Sequence, residues 1–257
     1  MGFVEIDPGY AELCRRHGLE SARALLEVRG RLVGGHADRH VAEVVIGGTR
    51  FFLKCEERVP WRERLKSAWE GHGWVSQSVR EARLLRQARA AGIDCPEVAA
   101  VGEDGPRAFV VLRAVEGLTD LRSFLAQPRP DADRRALAVR LGRALAELHR
   151  AGFDHPDLYA KHVLVGREPC CFLDWQRSRR RHRVGWRRRC RDLAALDASL
   201  VEALAGPRLR VRCLRAYLAA TLGAPPLARV AAAVRGFSAR LLRRRKVRRL
   251  RERPVAP

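Results

Sequence analysis

The apolar and polar positions of the first third of the chain predict mainly strands. The run LLEVRGRLVGG is followed by HVAEVVIGGTRFFLKCEE, in which Gly47-Gly48 marks a hairpin turn between two β-rich segments. Residues 76–91 carry apolar side chains at helical spacing and stop before Gly92, which predicts one helix. Two more strand candidates, EVAAVGED and RAFVVLRAVEG, follow Pro96. This part of the chain therefore predicts a sheet with a helix inserted into it.

The pattern becomes helical after about residue 117. LTDLRSFLA and RRALAVRLGRALAELHRAG predict helices, and residues 192–252 predict more, with breaks at Gly206-Pro207 and at 223–226. Two short strands, HVLV and CCFLDW, lie between them around a turn at Gly166 and Pro169. A β-rich part followed by an α-rich part predicts an α+β fold of two lobes, residues 1–114 and 115–257.

Composition and charge narrow the classes of partner. The 257 residues are 47% hydrophobic, enough for a sizeable core, which excludes wholesale disorder. The 51 Lys and Arg exceed the 29 Asp and Glu, giving a net charge of +22, so anionic partners are expected: phosphate, nucleic acid or an acidic membrane surface. Lysine occurs only at 54, 66, 161 and 246, so a lysine at a special position is notable.

The cysteines and the N-terminus indicate a reducing compartment. The seven cysteines form no C-x-x-C pair, which argues against a disulfide framework and a zinc site. The N-terminus has no apolar signal region, and the chain has no run of eighteen apolar residues that could span a bilayer. We expect a cytoplasmic chain that could sit on the cytoplasmic face of the inner membrane.

The segment HRAGFDHPDLYAKHVLVGREPCCFLDW has the layout of a kinase catalytic loop. A helix ends at Gly152, Asp157 opens a loop, His162 follows five positions later, and Asp174 comes after two strands. Phosphoryl transfer needs one carboxylate at the acceptor hydroxyl and a second that holds magnesium on the phosphates. The spacing therefore predicts Asp157 as the catalytic residue and Asp174 as a metal ligand. Lys161 could neutralise the transferred phosphoryl group, or it could be an ordinary solvated lysine.

Three upstream features fit a nucleotide site. Lys54 interrupts the apolar strand FFLKCEE, where it either snorkels to water or pairs with ATP phosphates and a helical glutamate, for which Glu81 is the candidate. Glu81 could instead belong to a capping box with Ser78. The loop LVGGHADRH could cover the phosphates with backbone amides at Gly34 and Gly35.

At these residues the chain resembles the bacterial lipopolysaccharide kinases that phosphorylate Kdo or heptose of the inner core. HPDLYAKHVLV is similar to the catalytic loop of that family, SVREARLLRQARAAGIDCPEV to its glutamate-bearing helix, and LDWQR to its metal-binding aspartate followed by an arginine, here Arg177. The resemblance implies a protein-kinase-like fold, ATP and Mg²⁺ as cofactors, and His162 as the second metal ligand beside Asp174. It also implies an anionic sugar or lipopolysaccharide acceptor.

Two basic segments suggest where an anionic partner binds. Residues 177–191 contain nine arginines directly after the metal-binding Asp, where kinases bind their acceptor. The C-terminal run RLLRRRKVRRLRERP fits an amphipathic helix on an anionic membrane. The alternatives are a kinase-fold enzyme acting on a protein or small molecule, a pseudokinase, or a basic nucleic-acid-binding module. The complete Lys/Glu/Asp/Asp set argues against a pseudokinase, and sparse aromatics argue against nucleic acid.

Overall fold

The computed structural model of the chain describes residues 2–36, 38–167 and 170–251. Its chain divides into two compact units, Met1–Glu116 and Gly117–Pro257. The sequence places this boundary between residues 114 and 115.

The first unit is built on a six-stranded antiparallel sheet of order β1-β5-β6-β4-β3-β2. Its elements, in chain order, are β1 (Phe3–Ile6), α1 (Pro8–Arg16), α2 (Ala22–Glu27), β2 (Arg31–His36), β3 (Arg39–Ile46), β4 (Thr49–Glu56), α3 (Trp61–Trp69), α4 (Gln77–Ala90), β5 (Val98–Asp104) and β6 (Arg107–Arg113). Gly47 and Gly48 both have positive φ, 54° and 78°, in the predicted hairpin turn between β3 and β4. The hairpin prediction is confirmed.

Alternation along β4 decides which side chains enter the core. Phe51, Leu53 and Cys55 are buried in an apolar cluster that includes α2 and the partly buried side chains of α1. Because successive side chains of a strand point to opposite faces, Lys54 and Glu56 point to the other face. Helix α4 packs on strands of this sheet and contacts β4, β5 and β6. One strand thus serves the core on one face and the candidate site on the other.

The second unit is mainly helical. Its elements are β7 (Thr119–Asp120), α5 (Leu121–Ala126), α6 (Asp131–Arg150), β8 (Phe153–Asp154), a 3₁₀ turn (Ala160–His162), β9 (Val163–Val165), β10 (Cys170–Phe172), β11 (Arg179–Arg180), α7 (Trp186–Ser199), α8 (Pro207–Ala219) and α9 (Leu227–Arg251). Helix α6 packs on α8, and α7 packs on α9. A Cβ atom on Gly142 of α6 would lie 2.3 Å from the carbonyl oxygen of Cys213, so glycine permits the close approach of α6 and α8.

The prediction that the first third consists of strands with one helix is wrong for three segments, which form α1, α2 and α3. In LLEVRGRLVGG, the first three residues end α2, and the strand begins only at Arg31. The Ser21 hydroxyl caps α2 by accepting a hydrogen bond from the backbone N–H of Ala24, and Leu25 is buried in the core. The cap and the buried leucine favour a helix over a strand there.

Candidate active site

Lys54 and Glu81 form an ion pair in the first unit. The Nζ atom of Lys54 on β4 donates to Oε1 of Glu81 on α4 at 2.6 Å. The Lys54 side chain is 13% exposed and that of Glu81 is 1% exposed. Within the described part of the chain, Oε2 of Glu81 has no hydrogen-bond partner, although it is buried. The lysine is therefore held by a glutamate, as predicted, rather than snorkelling to water.

The start of α4 explains why Glu81 is free to pair with Lys54. The N-cap is Ser76, whose hydroxyl accepts from the backbone N–H of Val79. Ser78 instead donates its hydroxyl and its backbone N–H to Oε1 of Glu56, at 2.6 and 2.7 Å. The capping-box alternative for Ser78 and Glu81 is therefore wrong, because the cap lies two residues earlier and Ser78 is bound to β4.

Gly34 and Gly35 do not lie in a loop, which corrects the prediction for this segment. Both belong to β2 and pair with Val41 and His40 of β3, next to an irregularity in the register. Gly35 has φ = 116°, and a Cβ atom there would lie 2.3 Å from the carbonyl oxygen of Arg39. Glycine is thus required by the tight hairpin itself. A phosphate-covering role for the two backbone amides stays a prediction.

Asp157 lies in the second unit and is largely buried, with 8% of its surface exposed. Helix α7 holds the backbone that leads to Asp157, because the backbone N–H of His155 donates to Oδ2 of Asp192 at 2.7 Å. The buried His155 ring contacts the carbonyl oxygen of Leu173 through Nε2 at 3.0 Å. Burial lowers the pKa of His155, so its ring is neutral and donates this bond from Nε2. His155 therefore has an architectural role in the loop.

His162 and Asp174 face one another beside this loop. Nδ1 of His162 lies 2.8 Å from the carbonyl oxygen of Asp157, which can only accept, so Nδ1 carries a proton. In the neutral ring the lone pair is then on Nε2, which lies 3.6 Å from Oδ2 of Asp174. Both atoms are therefore close enough to contact a single cation placed between them. Asp174 itself has φ = 60°, a conformation that non-glycine residues rarely adopt and that is often associated with functional sites.

The donor set fits magnesium rather than a metal held by protein alone. Within the described residues, no group of three or more His, Cys, Asp and Glu side chains could hold a metal ion. Magnesium is commonly bound by one or two carboxylates, with water and substrate phosphates completing its coordination. Asp174 can supply one carboxylate of this kind, and the imidazole of His162 can supply a nitrogen ligand beside it. Lys161, the other charged residue of the loop, is exposed in the 3₁₀ turn.

The structure adds a partner for Asp157 that the sequence did not predict. Nη1 of Arg177 donates to Oδ1 of Asp157 at 2.8 Å, while the Arg177 side chain is 64% exposed. The backbone at Arg177 is fixed on both sides, by the fully buried Trp175 and by the pairing of β11 with β8. The arginine after the predicted metal-binding Asp in LDWQR was the available signal, but its partner could not be read from the sequence.

A buried polar chain supports the loop from three helices. The His149 ring lies 2.8 Å from the Tyr217 hydroxyl through Nδ1 and 3.3 Å from Oδ2 of Asp192 through Nε2. Arg189 donates to the same hydroxyl at 3.3 Å. Because the Asp192 carboxylate also binds the His155 backbone, the chain connects α6, α7 and α8 to the start of the catalytic loop. Sequence reasoning missed these contacts because they join residues of three helices, and the pattern of one helix does not show which partner its polar side chain meets.

The comparisons with known proteins agree with this arrangement. The model of the lipopolysaccharide kinase (Kdo/WaaP) family matches residues 24–217, a range that contains every residue described in this site. The chain belongs to the lipopolysaccharide kinase family. It is therefore a phosphotransferase with a hydroxyl group as acceptor, a lipopolysaccharide core kinase, and the resemblance noted in the sequence is confirmed.

Individual relatives span most of this kinase. Lipopolysaccharide core heptose(I) kinase WaaP of Pseudomonas aeruginosa is 25% identical over 218 residues, which cover 78% of this chain and 81% of the relative. The protein of the same name from Escherichia coli is 25% identical over 236 residues, covering 85% and 88%. A solved structure of WaaP in complex with acyl carrier protein matches with a TM-score of 0.67 at 23% identity, covering 94% of this chain and 97% of that one. The predicted α+β, protein-kinase-like fold is confirmed.

Two further structural features of this lipopolysaccharide kinase bear on its partners. Among the described residues, no helix is long and apolar enough to cross a membrane. The second unit contains a cavity of about 670 Å³ lined largely by apolar side chains of α5 to α9. Its lining includes Leu137, Leu141, Leu193 and Val234 together with Tyr217, which also belongs to the polar chain that supports the catalytic loop.

Proposed function

We propose that this kinase transfers the γ-phosphoryl group of ATP, with Mg²⁺, to a sugar hydroxyl of the lipopolysaccharide inner core, on Kdo or heptose. The observation that supports the proposal is the loop of the second unit, where the backbone carbonyl of Asp157 contacts Nδ1 of His162 and the other ring nitrogen of His162 faces Asp174. The two relatives named heptose(I) kinase favour heptose as the first acceptor to test.

Asp157 acts on the acceptor. Its carboxylate orients the sugar hydroxyl and accepts its proton as the oxygen bonds to the γ-phosphorus and the bond to the β-phosphate oxygen breaks. ADP leaves with the electron pair of that bond. His162 and Asp174 would hold a magnesium ion, which would supply positive charge to the phosphates. The exposed Lys161 would neutralise negative charge on the transferred group.

Lys54 acts on the nucleotide. One of its three N–H groups binds Glu81, so the remaining donors can meet the α- and β-phosphates of ATP. Glu81, fixed by its position on α4, limits the rotamers of the lysine. The role of the ion pair is therefore to hold a cation in place before the nucleotide binds, which lowers the ordering cost of binding.

A panel of acceptors tests the proposal. ATP with a labelled γ-phosphoryl group is incubated with the enzyme, Mg²⁺ and, in parallel, inner core oligosaccharides ending in Kdo or heptose, a generic protein substrate and free monosaccharides. We expect label on a core oligosaccharide and on none of the other acceptors. Label on the protein with none on the core would overturn the acceptor assignment, since the kinase chemistry would then serve another substrate.

We also propose that the chain binds an acyl carrier protein. The solved relative is in complex with such a protein, and the cavity of about 670 Å³ in the second unit is lined by apolar side chains, which suits an acyl chain. Ala231 lines the cavity on α9, whereas the neighbouring Ala232 is exposed. Ala231→Leu should weaken binding of acylated carrier protein in size-exclusion chromatography, and Ala232→Leu should not. Equal binding by both variants would contradict this role for the cavity.

Peripheral contact with an anionic membrane at the cytoplasmic face is the last part of the proposal. It rests on the basic C-terminal end of α9, of which side chains 245–251 lie outside the described residues. Replacing the arginines of this segment with Gln should reduce binding to anionic vesicles and lower activity on a membrane-embedded acceptor, while a soluble acceptor is phosphorylated as before. The five positions are Arg243, Arg244, Arg245, Arg248 and Arg249. Unchanged vesicle binding with lost RNA binding would instead favour a nucleic-acid partner.

A further inference from the structure

Helix α3 exposes large apolar side chains along one face. Trp61, Leu65 and Trp69 are four residues apart, so they lie above one another on the helix surface, and we call them the α3 face. Their exposed fractions are 61%, 48% and 91%, and Trp74, shortly after the helix, is 56% exposed. Three of the five tryptophans of the chain are thus in contact with water in one short segment.

The side of α3 that faces the protein is polar. Ser67 is fully buried, and Arg64 donates to Oε2 of Glu103 on β5 at 2.6 Å. Glu70, which ends the helix, binds the buried Arg80 of α4 at 3.2 Å. A surface helix normally turns its apolar stripe to the core and its charged residues to water. In α3 this polarity is reversed, because hydrogen bonds and ion pairs attach the helix while the apolar face points outward.

A helix that binds a second surface is expected to have this reversed polarity. A contiguous apolar face that points outward indicates a second surface that covers it. The ion pairs of Arg64 and Glu70 fix the orientation of the helix, so the α3 face cannot turn inward without breaking them. The structure therefore holds this face toward solvent.

The charges around the α3 face select its partner. Arg58, Arg62 and Lys66 are exposed, and the guanidinium of Arg62 lies 5.6 Å from the centre of the Trp61 ring. Tryptophan with neighbouring Lys and Arg is typical of helices that lie in the interface of an anionic bilayer, where the indole sits at the headgroup level. A second copy of the chain would bring the same cations into opposition, on a molecule of net charge +22.

We infer that α3 forms a bilayer-binding site, in which the α3 face enters the headgroup region of an anionic membrane and Arg58, Arg62 and Lys66 meet lipid phosphates. The inference rests on the first unit alone. It is independent of the acceptor and of the basic C-terminal segment, so it adds a site to the proposed function rather than restating it.

Vesicle binding by the full chain tests this inference. The triple variant Trp61→Ser, Leu65→Ser, Trp69→Ser is compared with wild type on vesicles of phosphatidylcholine alone and of phosphatidylcholine with phosphatidylglycerol. We expect its partitioning to the anionic vesicles to fall by at least about tenfold, since loss of the apolar contacts removes more than one tenfold step of affinity. The matched control is Leu222→Ser, an exposed apolar residue of the second unit that should leave partitioning unchanged.

The fluorescence of the exposed tryptophans gives a second readout that does not depend on folding of a variant. Binding to anionic vesicles should shift the wild-type emission to shorter wavelength, and lipids brominated near the headgroup should quench it. Trp175 is fully buried and reports little of this change. An unshifted emission with equal partitioning of wild type and triple variant would overturn the inference.

Two further outcomes would also overturn it and would identify another occupant. A concentration-dependent dimer of wild type that the triple variant abolishes would assign the α3 face to a second copy, and lost binding of acyl carrier protein with unchanged vesicle binding would assign it to that protein. Phosphorylation of a soluble acceptor separates this test from the proposed function. The rate of this phosphorylation should be equal in wild type and triple variant. Its absence in wild type would refute the proposed function and would not change the interpretation of vesicle binding.

Discussion

Arg177 contacts the carboxylate of Asp157 and also reaches solvent, so it could recognise negative charge on an acceptor beside that carboxylate. The guanidinium has five N–H groups in a planar fork, and one of them holds the Asp157 carboxylate. Because most of the Arg177 side chain is exposed, the other edge of the fork can meet an anionic group on the acceptor. Binding of that group would then position the sugar next to the carboxylate that we propose as the proton acceptor.

Arg177→Gln should therefore lower selectivity for charged acceptors. We expect kcat/KM for a core acceptor to fall about tenfold to hundredfold, the size of a lost charge-assisted contact. The same acceptor with its carboxyl groups converted to methyl esters should be used equally well by variant and wild type. Arg183→Gln is the control, because Arg183 is exposed in the same basic segment. Equal loss on both acceptors would contradict this role and leave Arg177 as a support for Asp157 alone.

His155 predicts a dependence of stability on pH. Burial lowers the pKa of its ring in the folded state, mainly through desolvation, with the neighbouring Asp192 carboxylate acting in the opposite direction. As the pH falls through about 6.5, the unfolded chain takes up a proton that the folded chain does not, so the free energy of unfolding decreases on acidification.

The measurement is the free energy of unfolding of wild type and His155→Gln between about pH 7.5 and 5.5. The difference between the two slopes can reach roughly 1.4 kcal/mol per pH unit, the value for one proton. Glutamine keeps an N–H donor for the carbonyl of Leu173 but does not titrate. Wild type should lose more stability than the variant over this range. Parallel curves would show that His155 does not carry the effect.

Residues of unusual type were easier to predict than residues of common type. Lys54 is one of four lysines, so its position in an apolar strand was informative, and its partner Glu81 was predicted correctly. Arg177 belongs to a segment with nine arginines, and nothing in the sequence says which of them reaches Asp157. Arg181 and Arg189 of the same segment bind Asp154 and Tyr217, so they support the fold and are not simply a free basic patch.

At the scale of elements, the site of the first unit depends on β4 and α4 together. The strand places Lys54 opposite the core face, and the cap at Ser76 with the Ser78–Glu56 bonds sets where α4 begins. Glu81 then meets Lys54 from the helix. The pair is almost completely buried, so each charge is stabilised by the other.

Removing one charge of this pair, and then both, distinguishes the effect of the pair on stability from its effect on phosphoryl transfer. Lys54→Met leaves the fully buried Glu81 without its cation and should lower the free energy of unfolding by about 3–5 kcal/mol. The double variant Lys54→Met, Glu81→Leu should recover most of that loss, because both charges are gone. Phosphoryl transfer should be lost in both variants, since the phosphates need the lysine. Recovery of activity together with stability would show that Lys54 has only a structural role.

Helix starts were the weak point of the sequence prediction, although their signals were present. Asp7 caps α1 from the residue before Pro8, and Ser21 caps α2 three residues before Ala24. Both helices are short and lie between strands, so the β-rich neighbourhood outweighed the capping residues. Helix α3 has no side-chain cap and turns its apolar face outward, so neither a cap nor a buried stripe identified it.

At the scale of the whole molecule, the order of elements was more predictable than their contacts. The sheet with its hairpin, the long helices after residue 117 and the α+β class follow from periodicity and turn residues, and the family match agrees with them. The cavity of the second unit and the polar chain through His149, Asp192 and Tyr217 could not be predicted, because they depend on how α6, α7 and α8 pack. The net charge of +22 predicted anionic partners without identifying them.

Asp157→Asn tests the central claim, that this chain is a lipopolysaccharide core kinase whose catalytic residue is Asp157, most directly. The measurement is mass spectrometry of inner core oligosaccharide after incubation with ATP, Mg²⁺ and either wild type or the variant, with nucleotide binding measured in parallel. We predict that wild type adds one phosphoryl group to the oligosaccharide, and that the variant binds ATP as well but transfers at least about a hundredfold more slowly, roughly 2.7 kcal/mol of barrier. A variant that phosphorylates the oligosaccharide within about tenfold of wild type would contradict the account.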